Sequence, residues 1–197
     1  MARASKEQAA QHRADVVDAA SRLFRERGLS EVGLAEVMTA VGLTQGGFYK
    51  QFSSKQALAA EATDRSFELA NELADTIAAD QPDDPVAALG AFVAHYLSAA
   101  SRDDRANGCA ATALSGDATH DEQDGPVRAA YTRGIEAFVE AMVPFTGPDS
   151  DRADRIVTVC TLVGALTAAR ATAGSPLSDE ILAAVRDHLT TSKSTSD

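Results

Sequence analysis

The stretch that decides the fold is GLTQGGFYKQFSSKQAL, residues 42–58. It opens with a glycine that ends a short apolar helix, and Gly46 and Gly47 follow where the next helix should begin. Each glycine weakens a helix by about 1 kcal/mol relative to alanine. An aromatic pair and a lysine come directly afterwards. The pattern indicates that another molecule comes very close to this backbone.

The sequence on either side of this stretch predicts a pair of short helices. One covers 34–41 and ends at Gly42, and the next runs from a Thr44 cap to about residue 52. Only two or three residues separate them, so the helices must cross steeply. A helix over 13–27, closed by Gly28, braces the pair, whereas the first ten residues are expected to fray. This arrangement is typical of a helix-turn-helix, whose second helix enters the DNA major groove.

The remaining chain also follows a helical period, and runs of alternating β-branched residues are absent, so the predicted fold class is all-α. Ser53 and Gln56 have capping-box spacing and predict a long fourth helix through residue 79. Five further helices are expected near 85–101, 108–117, 125–145, 150–173 and 178–191. We place a DNA-binding domain at 1–55 and a larger helical domain at 56–197.

Net charge separates the two parts of the chain. Residues 1–60 carry eight Lys and Arg against six Asp and Glu, while residues 61–197 carry ten against 23. The overall charge of −11 therefore belongs to the second part, and the first can still meet a polyanion. No apolar span suits a membrane helix or a signal peptide, and the two cysteines suggest neither a disulfide nor a zinc site. We expect a cytoplasmic protein without metal or cofactor.

The residues of the opening stretch suit contact with phosphate. Missing side chains at Gly46 and Gly47 let the backbone approach DNA, and amides at a helix start attract phosphate. Tyr49 offers a hydroxyl and Lys50 a mobile charge. Lys55 lies in the first turn of a helix, where the dipole disfavours a cation unless a phosphate is near. Phe48 and Phe52 are assigned to the core.

The segment LAEVMTAVGLTQGGFYKQFSSKQAL, residues 34–58, closely resembles the DNA-binding signature of the tetracycline-repressor (TetR) family of bacterial transcription factors. The resemblance covers about residues 13–60 and implies binding of double-stranded operator DNA. Gly47 departs from the family by replacing a residue that often carries a hydroxyl, which leaves base-specific contact to Gln45 and Lys50. The candidate DNA-contacting residues are Thr44, Gln45, Gly46, Gly47, Tyr49, Lys50 and Lys55.

The resemblance also implies that the second part forms a homodimer and binds a small-molecule effector of unknown identity. Residues 156–169 are apolar nearly all round, so this helix is buried in a core or against a second subunit. In the family the last two helices form the dimer interface. Candidate effector contacts, most of them expected in the core, are Phe92, His95, Tyr96, Cys109, Leu114, Tyr131, Phe138 and Met142.

Three functions remain open from the sequence. The first is a repressor released from a palindromic operator by its effector. The second is a thiol-based sensor acting through Cys109, which follows Asn107-Gly108 at a helix start where amides favour negative charge; Cys160 is expected to be buried. The third is an enzyme using Cys109 and a histidine. Neither a Ser-His-Asp order nor a metal-ligand cluster supports that class.

Overall fold

The computed structural model describes residues 2–147 and 150–191, with side chains described from residue 7 onward in the first range. Those ranges contain helices and no strand, which confirms the all-α fold class. None of the helices in them is both apolar and long enough to cross a membrane. The helices are α1 (Ala2–Arg27), α2 (Leu34–Ala40), a 3-10 helix (Gln45–Lys50), α3 (Lys55–Ala79), α4 (Pro85–Tyr96), α5 (Ala99–Asp103), α6 (Ala110–His120), α7 (Pro126–Ala141), α8 (Val143–Thr146), α9 (Arg152–Ala171) and α10 (Pro176–Thr191).

Helix α1 is longer than predicted. It begins at Ala2 instead of residue 13, because the first twelve residues are mostly strong helix formers and the helix needs no break there. Its end is as expected: Gly28 has a φ of 86°, and its amide donates to the carbonyl of Phe24. Val16, Ala20 and Phe24 are buried and form the inner face of the amino-terminal core.

The turn after α2 matches the prediction, but the next element differs in type. Gly42 has a φ of 71°, and the amide of Leu43 donates to Met38. Residues Gln45–Lys50 then form a 3-10 helix and not an α-helix reaching residue 52. Two glycines in a row weaken the α-helical alternative, and so short a segment gains few hydrogen bonds from it. Phe48 and Phe52 are buried and stacked, with ring centroids 5.4 Å apart.

Helix α3 joins the two parts of the molecule. Its cap is Ser54 and not Ser53, since the Ser54 hydroxyl accepts from the amide of Ala57 at 3.0 Å. The first half of α3 packs in the amino-terminal core, and Phe67 belongs to a second hydrophobic cluster built mainly from α4, α7, α9 and α10. Two cores therefore share one continuous helix.

Helix α9 is buried on one face only, although its sequence predicts burial nearly all round. Leu162, Leu166 and Ala169 are buried against the second core. Val157 is 63% exposed and Cys160 is exposed, so the expectation of a buried Cys160 is wrong for the single chain. The inner face follows the 3.6-residue period. The outer face also carries apolar residues, but no residue in the described ranges covers it.

Candidate DNA-contacting surface and internal cavity

The 3-10 helix presents its polar and small residues outward while its phenylalanine anchors it. Phe48 is fully buried, and the neighbouring Tyr49 is 69% exposed with its ring edge-on to Phe48 at 5.1 Å. Thr44 precedes the helix, and its hydroxyl makes no capping hydrogen bond. The candidates that the structure leaves exposed here are Thr44, Gln45, Gly46, Tyr49 and Lys50.

No contact among the described residues requires glycine at positions 46 and 47. Neither has a positive φ, in contrast to Gly42. A Cβ at Gly46 would meet no atom within 4 Å, and one at Gly47 would make an ordinary 3.7 Å contact with Met38. Alanine would suit the helix better at both positions. The packing of the described residues therefore does not explain why both positions are glycine.

The half-buried side chain of Lys55 is hydrogen-bonded to another part of the protein. Its Nζ donates to the carbonyl of Leu29 at 2.5 Å, just beyond the end of α1. The carbonyl end of α1 offers the favourable field that the first turn of α3 denies to a cation. The carbonyl of Leu29 thus supplies the compensation that the sequence suggested would come from a phosphate. DNA contact by Lys55 stays a prediction.

Two side chains form hydrogen bonds with the backbone of Leu29. Its carbonyl accepts from Lys55, and its amide donates to Oδ1 of Asp117 on α6 at 3.1 Å. Burial is the main cause that raises the pKa of Asp117, while the Leu29 amide partly opposes the rise. Through this contact α6 is tied to the loop between α1 and α2.

Replacing Asp117 with alanine should lower the free energy of unfolding by about 1–3 kcal/mol, because the part-buried Leu29 amide loses its acceptor. Asp117→Asn is the matched control, since its amide oxygen can still accept from Leu29 while the desolvated charge is gone. We expect the asparagine variant to be at least as stable as the parent at pH 7, measured by urea unfolding. Equal destabilisation by both substitutions would contradict this role for the hydrogen bond.

The pH dependence of the Asp117 contribution has a definite sign. Because its pKa is raised above 3.8 in the folded state, the folded protein disfavours the ionised form. The unfavourable contribution is fully present above the folded pKa and disappears as the pH falls from that value to 3.8. The difference in stability between Asp117→Asn and the parent should shrink over the same window.

A cavity of about 330 Å³ lies in the second core, at the low end of the range for ligand pockets. Aromatic, leucine and alanine side chains form most of its wall, and the polar lining residues Arg25, Asp104 and Asn107 lie near Gly108 and Cys109. Five of the eight predicted contacts line it: Phe92, His95, Tyr96, Cys109 and Phe138. His95 is exposed, so it lies outside the core in which most of these candidates were expected.

The other three predicted contacts do not line the cavity. Leu114 is buried among residues of the amino-terminal core, on the opposite side of α6. The Tyr131 hydroxyl donates to the carbonyl of Ala111, and its ring packs edge-on against Phe67. Met142 is completely buried in the second core. Each faces a neighbouring helix, a distinction that helical period alone does not make.

Cys109 is the N-cap residue of α6, as predicted, and it lines the cavity. Its Sγ accepts a hydrogen bond from the Tyr96 hydroxyl at 2.8 Å. Burial, more than the neighbouring sulfur, holds the pKa of Tyr96 well above its usual value. Within the described ranges no group of three or more His, Cys, Asp and Glu side chains is arranged to hold a metal ion.

Comparison with known proteins gives a family match and several structural likenesses. Residues 16–62 match the model described as bacterial regulatory proteins, tetR family. The HTH-type transcriptional regulator AcrR of Shigella flexneri is 33% identical over 105 residues, which are 53% of this chain and 49% of AcrR. The match thus spans about half the length of that curated relative.

Two solved structures share the fold over nearly the whole chain. E. coli NemR in its reduced form has a TM-score of 0.76 at 18% identity, covering 91% of this chain and 95% of NemR. AibR, solved in complex with isovaleryl coenzyme A and operator DNA, has a TM-score of 0.63 at 18% identity, covering 91% and 98%. Residues 16–62, which contain the helix-turn-helix, therefore match the tetR family of bacterial regulatory proteins, and the fold of the whole chain is like that of these two solved structures.

Proposed function

We propose that this protein is a transcriptional regulator, most simply a repressor, that binds double-stranded operator DNA through the turn at Gly42 and the 3-10 helix. The observation that carries the proposal is the pair Gly46 and Gly47, whose missing side chains the fold does not require. Exposed Tyr49 and Lys50 flank them and supply a hydroxyl and a cation. A backbone kept bare beside such groups suits close approach to a phosphate.

Selection of bound fragments from random DNA by the purified chain tests this function. We expect recovery of an inverted repeat whose half-sites lie about one helical turn, or a multiple of it, apart. Affinity for the recovered sequence should fall steeply with rising salt, because Lys and Arg displace counterions from phosphates. Recovery of no enriched sequence, or an affinity that salt does not alter, would overturn the proposal.

The proposed regulator acts as a homodimer through α9 and α10. An inverted repeat presents two equal half-sites, which a two-fold dimer reads with two recognition helices. The outer face of α9 carries exposed Ile156 and Val157 together with small residues that let helices approach closely, and exposed Leu177 begins α10. An exposed apolar face of this kind marks a protein–protein contact, and a two-fold dimer would bury it against the same face of a second copy.

Val157→Asp should convert the dimer to a monomer, because it sets two like charges into the apolar interface. Light scattering at micromolar concentration measures the mass, and operator affinity should fall with it. Val86→Asp is the matched control, since Val86 is similarly exposed but lies at the start of α4. A parent protein that is already monomeric, or a dimeric Val157→Asp, would contradict the assignment.

The proposed effector binds in the cavity and shifts the population away from the operator-bound conformation. Thermodynamics requires it to bind the DNA-free state more tightly. Helix α6 offers the connection, since Cys109 at its start lines the cavity and Asp117 near its end holds Leu29. Ligand-dependent movement of α6 would therefore act on the loop that precedes α2.

A second candidate function is thiol sensing, which the position of Cys109 favours. Its sulfur lines the cavity, accepts from Tyr96 and lies at the amino end of α6. If a thiol signal releases DNA, Cys109→Ser should abolish release by N-ethylmaleimide while Cys160→Ser should not. Equal release from both variants would end this candidate. An enzyme that pairs Cys109 with His95 has less support. Among the described residues, the hydrogen bond to the Cys109 sulfur comes from the Tyr96 hydroxyl and not from a histidine that could act as a base.

A further inference from the structure

One end of the cavity holds a buried cation. Arg25 of α1 lines the cavity and is only 4% exposed. Its Nε donates to the carbonyl of Ser21 at 3.1 Å and its Nη1 to the carbonyl of Gly108 at 3.2 Å. Both acceptors are neutral, and no carboxylate of the described residues forms an ion pair with this guanidinium. Burial lowers the pKa of Arg25, the direction expected of a cation that lacks a counterion.

A second guanidinium lies on the other side of Gly108. Arg170 of α9 donates through Nε to Arg102 and through Nη2 to Ser101, again to backbone carbonyls. A Cβ on Gly108 would overlap Arg170 Nη2, so the guanidinium packs directly on this residue. Burial lowers the pKa of Arg170 as well. The peptide that precedes Cys109 is therefore held between two part-desolvated cations.

The carboxylate nearest to these cations is already satisfied. Asp104 lines the cavity, but its oxygens accept from the backbone amide and the side-chain amide of Asn107 at 3.0–3.2 Å. These hydrogen bonds are the main cause that lowers the pKa of Asp104. One exposed carboxylate stands against the buried guanidinium of Arg25 and the half-buried guanidinium of Arg170 beside it, so this end of the cavity keeps a net positive charge.

The rest of the cavity is apolar. Phe67, Phe92 and Phe138 are each more than 90% buried, and Leu166 closes the wall on the α9 side. A ligand that fills this space gains from burial of an aromatic or aliphatic body. A cation placed at this end would be repelled by the charge of Arg25.

We propose that the effector is an amphipathic anion, with an apolar, preferably aromatic body and a carboxylate that pairs with Arg25. The proposal rests on the regulatory function given above and adds the chemical class of the effector. A carboxylate matches the two-pronged guanidinium and supplies the charge that the fold leaves out. Because Arg25 belongs to α1, a ligand that takes over this guanidinium competes with the bond to Gly108 and acts directly on the DNA-binding unit.

Three probes of one shape and different charge test the proposal on the full chain: 2-naphthoate, 2-naphthalenemethanol and 2-naphthylmethylammonium. Calorimetry should show naphthoate binding about tenfold or more tighter than the alcohol, as a charge-assisted pair requires, and the ammonium weakest. Equal affinities, or a preference for the ammonium, would overturn it. This series needs no variant, so it decides the question even if changes at Arg25 impair folding.

Variants then locate the charge. Arg25→Gln should remove the preference for naphthoate and leave the affinity for the alcohol unchanged, whereas Arg105→Gln, a change at an exposed neighbouring arginine, should keep it. A preference that survives in Arg25→Gln would contradict the assigned residue.

Operator binding of each ligand-free protein is measured alongside. Absence of charge preference with intact operator binding refutes the effector class alone; absence of operator binding in the parent refutes the regulatory function.

Alkylation of Cys109 gives an independent measure of the field in the cavity. Iodoacetate and iodoacetamide are nearly the same size and differ by one negative charge. Peptide mass spectrometry distinguishes Cys109 from exposed Cys160 in the unmodified chain. The iodoacetate-to-iodoacetamide rate ratio at Cys109 should exceed that of glutathione several-fold and should fall in Arg25→Gln. A ratio equal to that of glutathione would show that the cavity is not positive, and the proposal would fail.

Discussion

Valine at positions 46 and 47 should abolish specific operator binding without unfolding the protein. The side chain at position 46 would project into open space, and valine suits a helix better than glycine. The added bulk instead holds the backbone away from DNA. We expect a loss of at least about 100-fold in affinity, equivalent to about 2.8 kcal/mol. Fluorescence anisotropy on the selected operator measures it, and circular dichroism checks the fold.

The control for this experiment is a glycine that is equally open but lies elsewhere. Gly116 of α6 is exposed, and a Cβ there would meet no atom within 4 Å. Gly116→Val should leave operator affinity within about twofold, which amounts to about 0.4 kcal/mol. If the Gly46 and Gly47 variant binds as tightly as the parent while folded, close backbone approach is the wrong explanation for these glycines.

The helix-turn-helix was predictable from sequence because its signals are local. Gly28 and Gly42 end their helices in the left-handed conformation that glycine favours, and Phe48 with Phe52 marks the buried side. One error concerns the cap of α3, which was predicted at Ser53, whereas the structure uses the adjacent Ser54. The type of the short helix depends on small energy differences between hydrogen-bond patterns, which spacing does not reveal.

The internal partner of Lys55 was beyond sequence reasoning because it is set by tertiary structure. Leu29 lies 26 residues earlier, and only the packing of α1 against α3 brings its carbonyl to the ammonium. The sequence correctly indicated that this cation needed compensation in the first turn of a helix. It left open whether a phosphate or the protein would supply it.

The lining of the cavity was predicted only in part, because tertiary structure decides which helices meet around it. Phe92, Tyr96 and Phe138 are aromatic residues on helical faces, so their inward direction could be inferred. Arg25 and Phe67 were missed because they come from α1 and α3, whereas the predicted contacts all lie between residues 92 and 142. One signal was present: Arg25 follows Ser21 by four residues, beside the buried stripe of α1. The position of Arg25 beside this stripe could have predicted a buried positive charge.

The outer face of α9 shows where sequence and single-chain structure answer different questions. An apolar helix predicts burial but does not say by which partner. Within the described ranges the inner face is covered by this chain, and Val157 and Cys160 are left exposed. The exposed apolar face of α9 is the observation that supports the second copy proposed above.

Alanine at Gly134 should destabilise the whole protein, because Gly134 lets α7 approach α3. A Cβ at this position would overlap the ring of Phe67, which is 4% exposed, so the ring would have to shift from its packed position towards the cavity that it lines. Overpacking of this kind costs about 1–3 kcal/mol, and the gain in helix propensity offsets up to about 1 kcal/mol of it. We expect a net loss near 2 kcal/mol, or about 4–8 °C in the melting temperature.

Gly90→Ala separates the packing effect from the general effect of glycine in a helix. Gly90 lies inside α4, and a Cβ there would meet no atom within 4 Å. This variant should therefore be more stable than the parent by up to about 1 kcal/mol, opposite in sign to Gly134→Ala. Stabilisation by both substitutions would mean that α3 and α7 separate at little cost. Because α3 carries both cores, such a loose contact would also remove the rigid support on which the positioning of the DNA-binding unit depends.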